Sequence, residues 1–385
     1  MSFYYKCSDC GKTFDIKPGV YLCPECSRKS EKNRPVRGVL ETLNDHKITV
    51  DINDSENFIH SFLPVEKEYF PPIPVGNTPL WQPLNLRKKL GLTNLFIKDD
   101  TLNPTGSLKD RASYLVAAFA IKHKIDDIVV ASTGNAASSM SGVGAAAGKK
   151  VKIFIPASAP KAKMVQSLQY GADVNLVEGT YDMAFDQSIE YTNKNGGLNR
   201  NTAYNPLTLD GKKTSALEIF LQLEKAPDHV FVPVGDGCIL GGLYRGFSDL
   251  YKNNYIDKIP VIHSVQAEGS CAINRALSNG DFSDPIPSNT AADSISVDIP
   301  RNGYYALKML QKYSGRAINV TDDEILSAQI ELASTTGLFA EPSSASVLAG
   351  LLKEKNEIKN NENVVLLVTG NGLKDIDGAM KKLSL

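Results

Sequence analysis

The sequence predicts an α/β fold with mainly parallel sheets, because short buried-strand patterns alternate with helical ones along most of its 385 residues. Glycine-bearing or hydroxyl-rich loops directly follow three of the apolar strands, where such sheets place their ligands. Four cysteines in two CxxC pairs stand apart at the N-terminus. The length exceeds one ordinary core and calls for two to three domains. A composition of 42% hydrophobic and 22% charged residues, with a formal net charge of −1, suits a folded protein without bulk attraction to nucleic acid or membrane. No apolar run is long enough to span a bilayer. The start, Met1-Ser2-Phe3-Tyr4-Tyr5-Lys6, lacks the pattern of a signal peptide, so a cytoplasmic location is expected.

The first element is the cysteine segment. Cys7-Ser8-Asp9-Cys10-Gly11 is followed, twelve residues after Cys10, by Cys23-Pro24-Glu25-Cys26. Each CxxC forms a tight knuckle that aims two thiolates at one point. Four thiolates in a tetrahedron suit Zn²⁺, with iron as the other occupant. Such a closed site leaves no open position for catalysis, so its role is structural. A ribbon this small has little core, and the metal holds it together. Chemistry is expected to survive loss of the ribbon better than stability does. Residues 27–35 read as a polar, basic linker, and 36–75 give no clear pattern.

After the turn-rich entry at Pro71–Pro79, strands are predicted at Leu95–Lys98, Ile128–Ala131, Val151–Ile155, Val174–Val177, His229–Val234, Val261–Gln266 and Val364–Thr369. Helices are predicted at Leu108–His123, Ala136–Ala147, Ala162–Tyr170 and Lys213–Glu224. Ser132-Thr133-Gly134-Asn135 joins a strand to a helix and suits an anion such as a substrate carboxylate, although capping alone explains such residues too. Gly235-Asp236-Gly237-Cys238-Ile239-Leu240-Gly241-Gly242 either cradles a phosphate with its backbone N–H groups or permits tight packing. Thr369-Gly370-Asn371-Gly372-Leu373-Lys374-Asp375 is either a ligand-lining turn or a plain connection.

The segment Lys98-Asp99-Asp100-Thr101-Leu102-Asn103-Pro104-Thr105-Gly106-Ser107-Leu108-Lys109-Asp110-Arg111 closely resembles the cofactor-lysine motif of fold type II pyridoxal phosphate enzymes, threonine synthases in particular. The three loops fall in the order that family uses, and Gly337-Leu338-Phe339-Ala340-Glu341-Pro342-Ser343-Ser344-Ala345 is also typical of it. The resemblance covers about residues 75–385. It implies two three-layer αβα domains of the tryptophan synthase β type. With the N-terminal Cys₄ zinc ribbon, the expected division is a ribbon-like element at 1–34, a large cofactor-binding domain at 35–124 and 206–385, and a small mobile domain at 125–205.

The resemblance also implies roles. Lys109 would carry pyridoxal 5′-phosphate as a Schiff base and then act as general base at Cα and Cβ. Asn135 would hydrogen-bond the ring hydroxyl. The amides of Gly235, Asp236, Gly237, Cys238 and Ile239 would hold the phosphate, and Thr369 would face the pyridine nitrogen. Ser132, Thr133 and Lys213 would contact the substrate. The partner is then a small amino acid, with neither nucleic acid nor membrane involved, and the chain is a homodimer or a monomer. Cofactors are pyridoxal phosphate and structural Zn²⁺.

The match departs from the threonine synthases where they grip the phosphate of O-phosphohomoserine. Ala136, Ala203 and Thr208 stand where that family carries a threonine, a serine and an arginine. Hydrogen bonds to a charged phosphate are each worth roughly 1.5–3 kcal/mol, so three lost partners matter. Asp236 and Ile239 replace two asparagines, and an aspartate beside a phosphate is unfavourable unless it points away or is protonated. Asp293, Asp298 and Arg301 either face the substrate or are solvated loop charges. The leading reading is conversion of O-phosphohomoserine and water to threonine and phosphate. One rival is a β-replacement synthase or ammonia lyase on an unphosphorylated amino acid. The other is a non-catalytic protein that uses the ribbon to bind a partner.

Overall fold

The computed structural model describes residues 3–159 and 161–383. Of 161–163 only the backbone is described, and the start read at Met1 and Ser2 lies outside the described residues. The chain divides into two compact units, and the division passes through the helix Leu207–Leu223.

The first unit comprises 1–29, 37–76 and 103–214. Its small sheet is antiparallel, ordered Thr13–Asp15, Phe3–Cys7, Leu40–Asn44. Its larger sheet is parallel, ordered Asp173–Val177, Lys150–Pro156, Asp127–Ala131, Leu198–Asn199. Apolar runs such as Ile128–Ala131 are buried on both faces, as a covered parallel sheet requires. The helices Lys109–Lys122 and Asn135–Ala146 pack over it through Leu115, Val116, Phe119, Met140 and Val143.

The second unit comprises 30–36, 77–102 and 215–385. Its sheet runs Arg316–Val320, Val261–Ala267, His229–Pro233, Val364–Val368, Leu95–Asp99, Leu80–Trp81, and only the last, edge pair is antiparallel. Val364–Val368 lies in the middle, and all five of its residues are buried. The helix Pro342–Glu354 covers this sheet with Val347, Leu348 and Leu351. The helix Asp322–Thr336 starts on a reciprocal cap between Thr321 and Glu324, which satisfies two backbone donors at its head.

The observed strands and helices match the sequence expectations to within a residue or two, with two informative exceptions. The helix predicted from Lys213 begins at Leu207, six positions earlier. Asp210-Gly211 resembles a break, but Gly211 serves a close approach: a Cβ there would sit 2.4 Å from the Arg111 carbonyl oxygen. In the unassigned stretch 36–75, Leu40–Asn44 pairs along its length with Phe3–Cys7, so the ribbon sheet extends beyond residue 34. Nor is the ribbon an appendage, because Tyr21 joins the core of the parallel sheet's unit. Among the described residues no helix is long and apolar enough to cross a membrane.

Candidate functional site

In the first unit the Lys109 loop is tied down by its own side chains. Asn103 accepts a bond from the Gly76 amide at 3.0 Å, and the Gly106 amide donates to the Asn103 carbonyl at 2.8 Å. Gly106 has φ +87°, a left-handed conformation that favours glycine. The buried Asp110 carboxylate reaches back from the first helical turn and accepts from both the amide (2.7 Å) and the hydroxyl of Thr105. Arg111 is buried and donates to the Thr214 hydroxyl at 3.0 Å. Lys109, the first residue of its helix, is only half-buried. In this triplet, Asp110 and Arg111 hold the scaffold while the lysine keeps access to solvent.

Asn135 is buried at the head of the next helix, after Ser132, Thr133 and Gly134, which are partly exposed. The Gly134 amide donates to the Ser132 hydroxyl at 3.2 Å, which bends the loop back on itself. The two helices meet at Ser113 and Ser139, whose hydroxyls bond at 2.7 Å. Each serine lies one turn inside its helix from Lys109 or Asn135, so this bond fixes the two helix heads against each other.

A residue that the sequence did not mark underlies the first of these helix heads. Arg200 is fully buried and donates to the Lys109 carbonyl at 3.5 Å, the Ser113 hydroxyl at 3.3 Å and the Thr202 hydroxyl at 3.0 Å. Nearby, Asn201 accepts from the Ala131 amide at 2.6 Å, directly ahead of Ser132. Lys213 is buried and ion-paired with Asp210 at 3.6 Å, and Lys212 is buried beside it in sequence. Ala136 and Ala203 are buried, and Ala203 holds φ +66°. Thr208 is fully buried, and its hydroxyl donates to the Asn205 carbonyl at 2.8 Å.

In the second unit the glycine loop follows the strand His229–Pro233 and opens the helix Cys238–Lys252. Gly237 has φ +81°, and a Cβ there would meet Ala306 at 2.8 Å; one on Gly235 would lie 3.0 Å from the Ile295 backbone. Cys238 is buried and Ile239 half-buried. The Asp236 carboxylate points to other work: it accepts from the Arg301 amide at 3.0 Å, while its carbonyl accepts from the Asn302 amide at 3.0 Å. Asp293 and Asp298 are exposed.

Thr369 directly follows the neighbouring parallel strand Val364–Val368 and is buried. The Ser344 oxygen accepts from the amides of Gly370 at 2.8 Å and Thr369 at 3.2 Å. The Ser344 and Thr369 hydroxyls lie 2.9 Å apart and either can donate, and the Ser344 hydroxyl also faces the Glu341 carboxylate at 3.5 Å. Glu341, also buried, approaches because Gly370 has no side chain; a Cβ there would lie 2.5 Å from its carboxylate. Neither Ser344 nor Glu341 carried a role in the sequence reading, although both lie in the quoted Gly337–Ala345 stretch.

The four N-terminal cysteines converge, all sulfurs lying within 4.8 Å of one another. Cys10 and Cys23 are 3.8 Å apart. A regular tetrahedron of zinc–sulfur bonds of about 2.3 Å sets sulfur separations of about 3.8 Å, so the donor set fits that ion. Burial pushes the Cys7 and Cys26 thiols up, whereas the Lys12 amide draws Cys10 down to about 7. A cation amid the four would offset the resistance of the buried thiols to ionising.

Comparison with known proteins gives the following. The family described as "Pyridoxal-phosphate dependent enzyme" matches residues 73–370. A threonine synthase of Methanocaldococcus jannaschii is 34% identical, over 98% of this chain and 94% of that protein. A threonine synthase of Bacillus sp. (strain ULM1) is 37% identical, over 84% of this chain and 91% of its own. Among solved structures, the processed form of threonine deaminase isoform 2 from Solanum lycopersicum superposes with a TM-score of 0.70 at 22% identity, covering 89% of this chain and 97% of that one. Maize serine racemase does so at 0.68 and 19%, covering 80% and 93%. The two superpositions speak to the fold alone.

Proposed function

Because the chain belongs to the pyridoxal-phosphate dependent enzyme family and is threonine-synthase-like, we propose that it converts O-phosphohomoserine and water to threonine and phosphate. The observation that carries this is the half-buried Lys109, held at a helix head by the Asp110 clamp within a chain a third identical to threonine synthases.

The residues present fit the cofactor. Gly235–Ile239 offer backbone N–H groups at the head of a helix, where phosphate binds well, and Asp236 turns its carboxylate to the Arg301 amide. Thr369, buried after the central strand, would give its hydroxyl proton to the pyridine nitrogen, and a neutral donor there leaves that nitrogen unprotonated. Asn135 would donate its amide to the ring hydroxyl. The cofactor supplies an electron sink for the charge left when a proton leaves Cα. Lys109 would take that proton, then act again at Cβ. Ser132 and Thr133 would hold the substrate carboxylate, and the neighbouring helix head favours that negative charge. Lys213 would contact the substrate from its place beside Asp210. Cys7, Cys10, Cys23 and Cys26 would bind one structural Zn²⁺.

A second reading rests on Thr208. Its hydroxyl is committed to its own backbone and it lacks the charge of an arginine, which favours an unphosphorylated amino acid handled by β-replacement or ammonia release. Two experiments test the proposal. Borohydride treatment of the cofactor-loaded protein should leave a reduced adduct on Lys109; an adduct on another lysine contradicts the assignment. The triple change Ala136→Thr, Ala203→Ser and Thr208→Arg should leave kcat/KM for O-phosphohomoserine unchanged or lower if the phosphate is already gripped by other residues. A gain of about tenfold or more would favour the second reading.

A further inference from the structure

The ribbon reaches the lysine half-site through one side chain. Tyr21 lies two positions before Cys23 and leaves the ribbon to pack in the core of the parallel sheet's unit. Its phenol oxygen accepts a bond from the Asn199 amide at 2.8 Å, and its ring stacks on Tyr204 with centroids 4.7 Å apart. Asn199 and Tyr204 bracket the short segment that organises the half-site. Asn199 is tied to Asn205 (2.7 Å from its carbonyl) and to the Asn201 amide (2.9 Å). Arg200, between them, holds the Lys109 carbonyl, and Asn201 holds the Ala131 amide ahead of Ser132. A second ribbon residue, Tyr5, is buried among Cys7, Cys23 and Cys26, with the Asp210 carboxylate nearby. Asp210 is the partner of Lys213.

Nothing in the edge strand Leu198–Asn199 explains this dependence on the ribbon. Only two of its residues pair with the sheet, so its outer amide needs an acceptor from elsewhere. The ribbon supplies it. The ring of Tyr21 stacks on Tyr204, the residue after Ala203, whose left-handed backbone is strained for a non-glycine residue and persists only where its surroundings hold it.

We propose that Tyr21 is a positioning residue for the lysine half-site, and that the Cys₄ cluster acts on catalysis by fixing Tyr21. The ribbon is then a support for residues 199–205 as well as a folding element. The catalytic part of this inference rests on Lys109 and Ser132–Asn135 being the reacting site; the structural part does not.

The test uses full-length protein loaded with pyridoxal phosphate and zinc. Amide hydrogen exchange across 199–205, metal content and kcat/KM are measured for wild type, Tyr21→Phe, Tyr21→Ala and the exposed ribbon control Lys17→Ala. Tyr21→Phe keeps the stack and removes the acceptor, so exchange at Asn199 should speed up about tenfold with metal retained. Tyr21→Ala should loosen all of 199–205 and lower kcat/KM by tenfold or more, since small misplacements of a site are magnified in rate. Chelating the metal from wild type should loosen the same peptides. Lys17→Ala should do neither. Unchanged exchange at 199–205 in Tyr21→Ala and after chelation overturns the support. Faster exchange with unchanged kcat/KM overturns the positioning role. If O-phosphohomoserine is not turned over but the exchange pattern holds, the support stands and the substrate assignment falls.

Discussion

Lys109 is presented by a loop that side chains hold: Asp110 on Thr105, Asn103 on Gly76, and Arg200 beneath the lysine carbonyl. Gly235–Ile239 is shaped by the lack of side chains, with Ile295 and Ala306 filling the space that a Cβ at 235 or 237 would need. The first arrangement keeps one lysine accessible within a loop of committed partners. The second packs a glycine-bearing turn tightly at a helix head. A single substitution should therefore act differently in each: chemistry is lost in the first, whereas stability and phosphate affinity fall together in the second.

The largest effect is expected at Lys109. Lys109→Ala should leave the fold intact, abolish covalent cofactor attachment and reduce turnover by about 10³-fold or more, because no neighbouring group replaces an amine as both anchor and base. Absorbance of the bound cofactor and steady-state rates check this. Next comes the ribbon. If the four cysteines hold a metal as proposed, Cys23→Ser should release it and lower the melting temperature by several degrees, since folding of so small a core would be linked to the ion. Metal analysis and calorimetry read the outcome, and full metal retention would contradict a four-cysteine site.

A third prediction concerns acid. His263 is buried, stacked on Phe231 at 4.0 Å and bonded to His229 at 3.0 Å. Burial, with His229 and Arg316 adding to it, draws its pKa down to about 3. A histidine whose folded pKa is depressed stabilises the native state above its unfolded value of about 6.5 and loses that stability as pH falls toward 3. The second unit should therefore weaken by a few kcal/mol across that window, and His263→Gln should flatten the acid limb of a pH–stability profile. The smallest effect is expected for Gly237→Ala. Its positive φ and its contact with Ala306 should cost about 2 kcal/mol and weaken cofactor binding, both measurable by denaturation and cofactor titration.

The same contrast explains what the sequence could reveal. Buried parallel strands such as Val364–Val368 announce themselves as unbroken apolar runs, and the helices between them follow. The Lys109 loop and the CxxC pairs are legible because contiguous residues carry them. Arg200 is not, because its partners Lys109 and Ser113 lie about 90 positions away in sequence and nothing local distinguishes it from a surface arginine. Ser344 is hidden for the same reason, its role arising only where a helix head meets a strand end. Leu40–Asn44 was unassignable because it is short and its pairing partner, Phe3–Cys7, lies over 30 residues upstream. Asp236 is unfavourable beside a phosphate unless it points away, and its carboxylate accepts from the Arg301 amide, a pairing that the sequence does not announce.

The measurement closest to the central claim is a product assay on the purified, cofactor-loaded enzyme. O-phosphohomoserine, serine and threonine are each supplied, and phosphate, threonine and ammonia are quantified in the wild type and in Lys109→Ala. The account predicts equal amounts of phosphate and threonine from O-phosphohomoserine, lost in the variant. Ammonia from serine or threonine, with no threonine formed from O-phosphohomoserine, would contradict it.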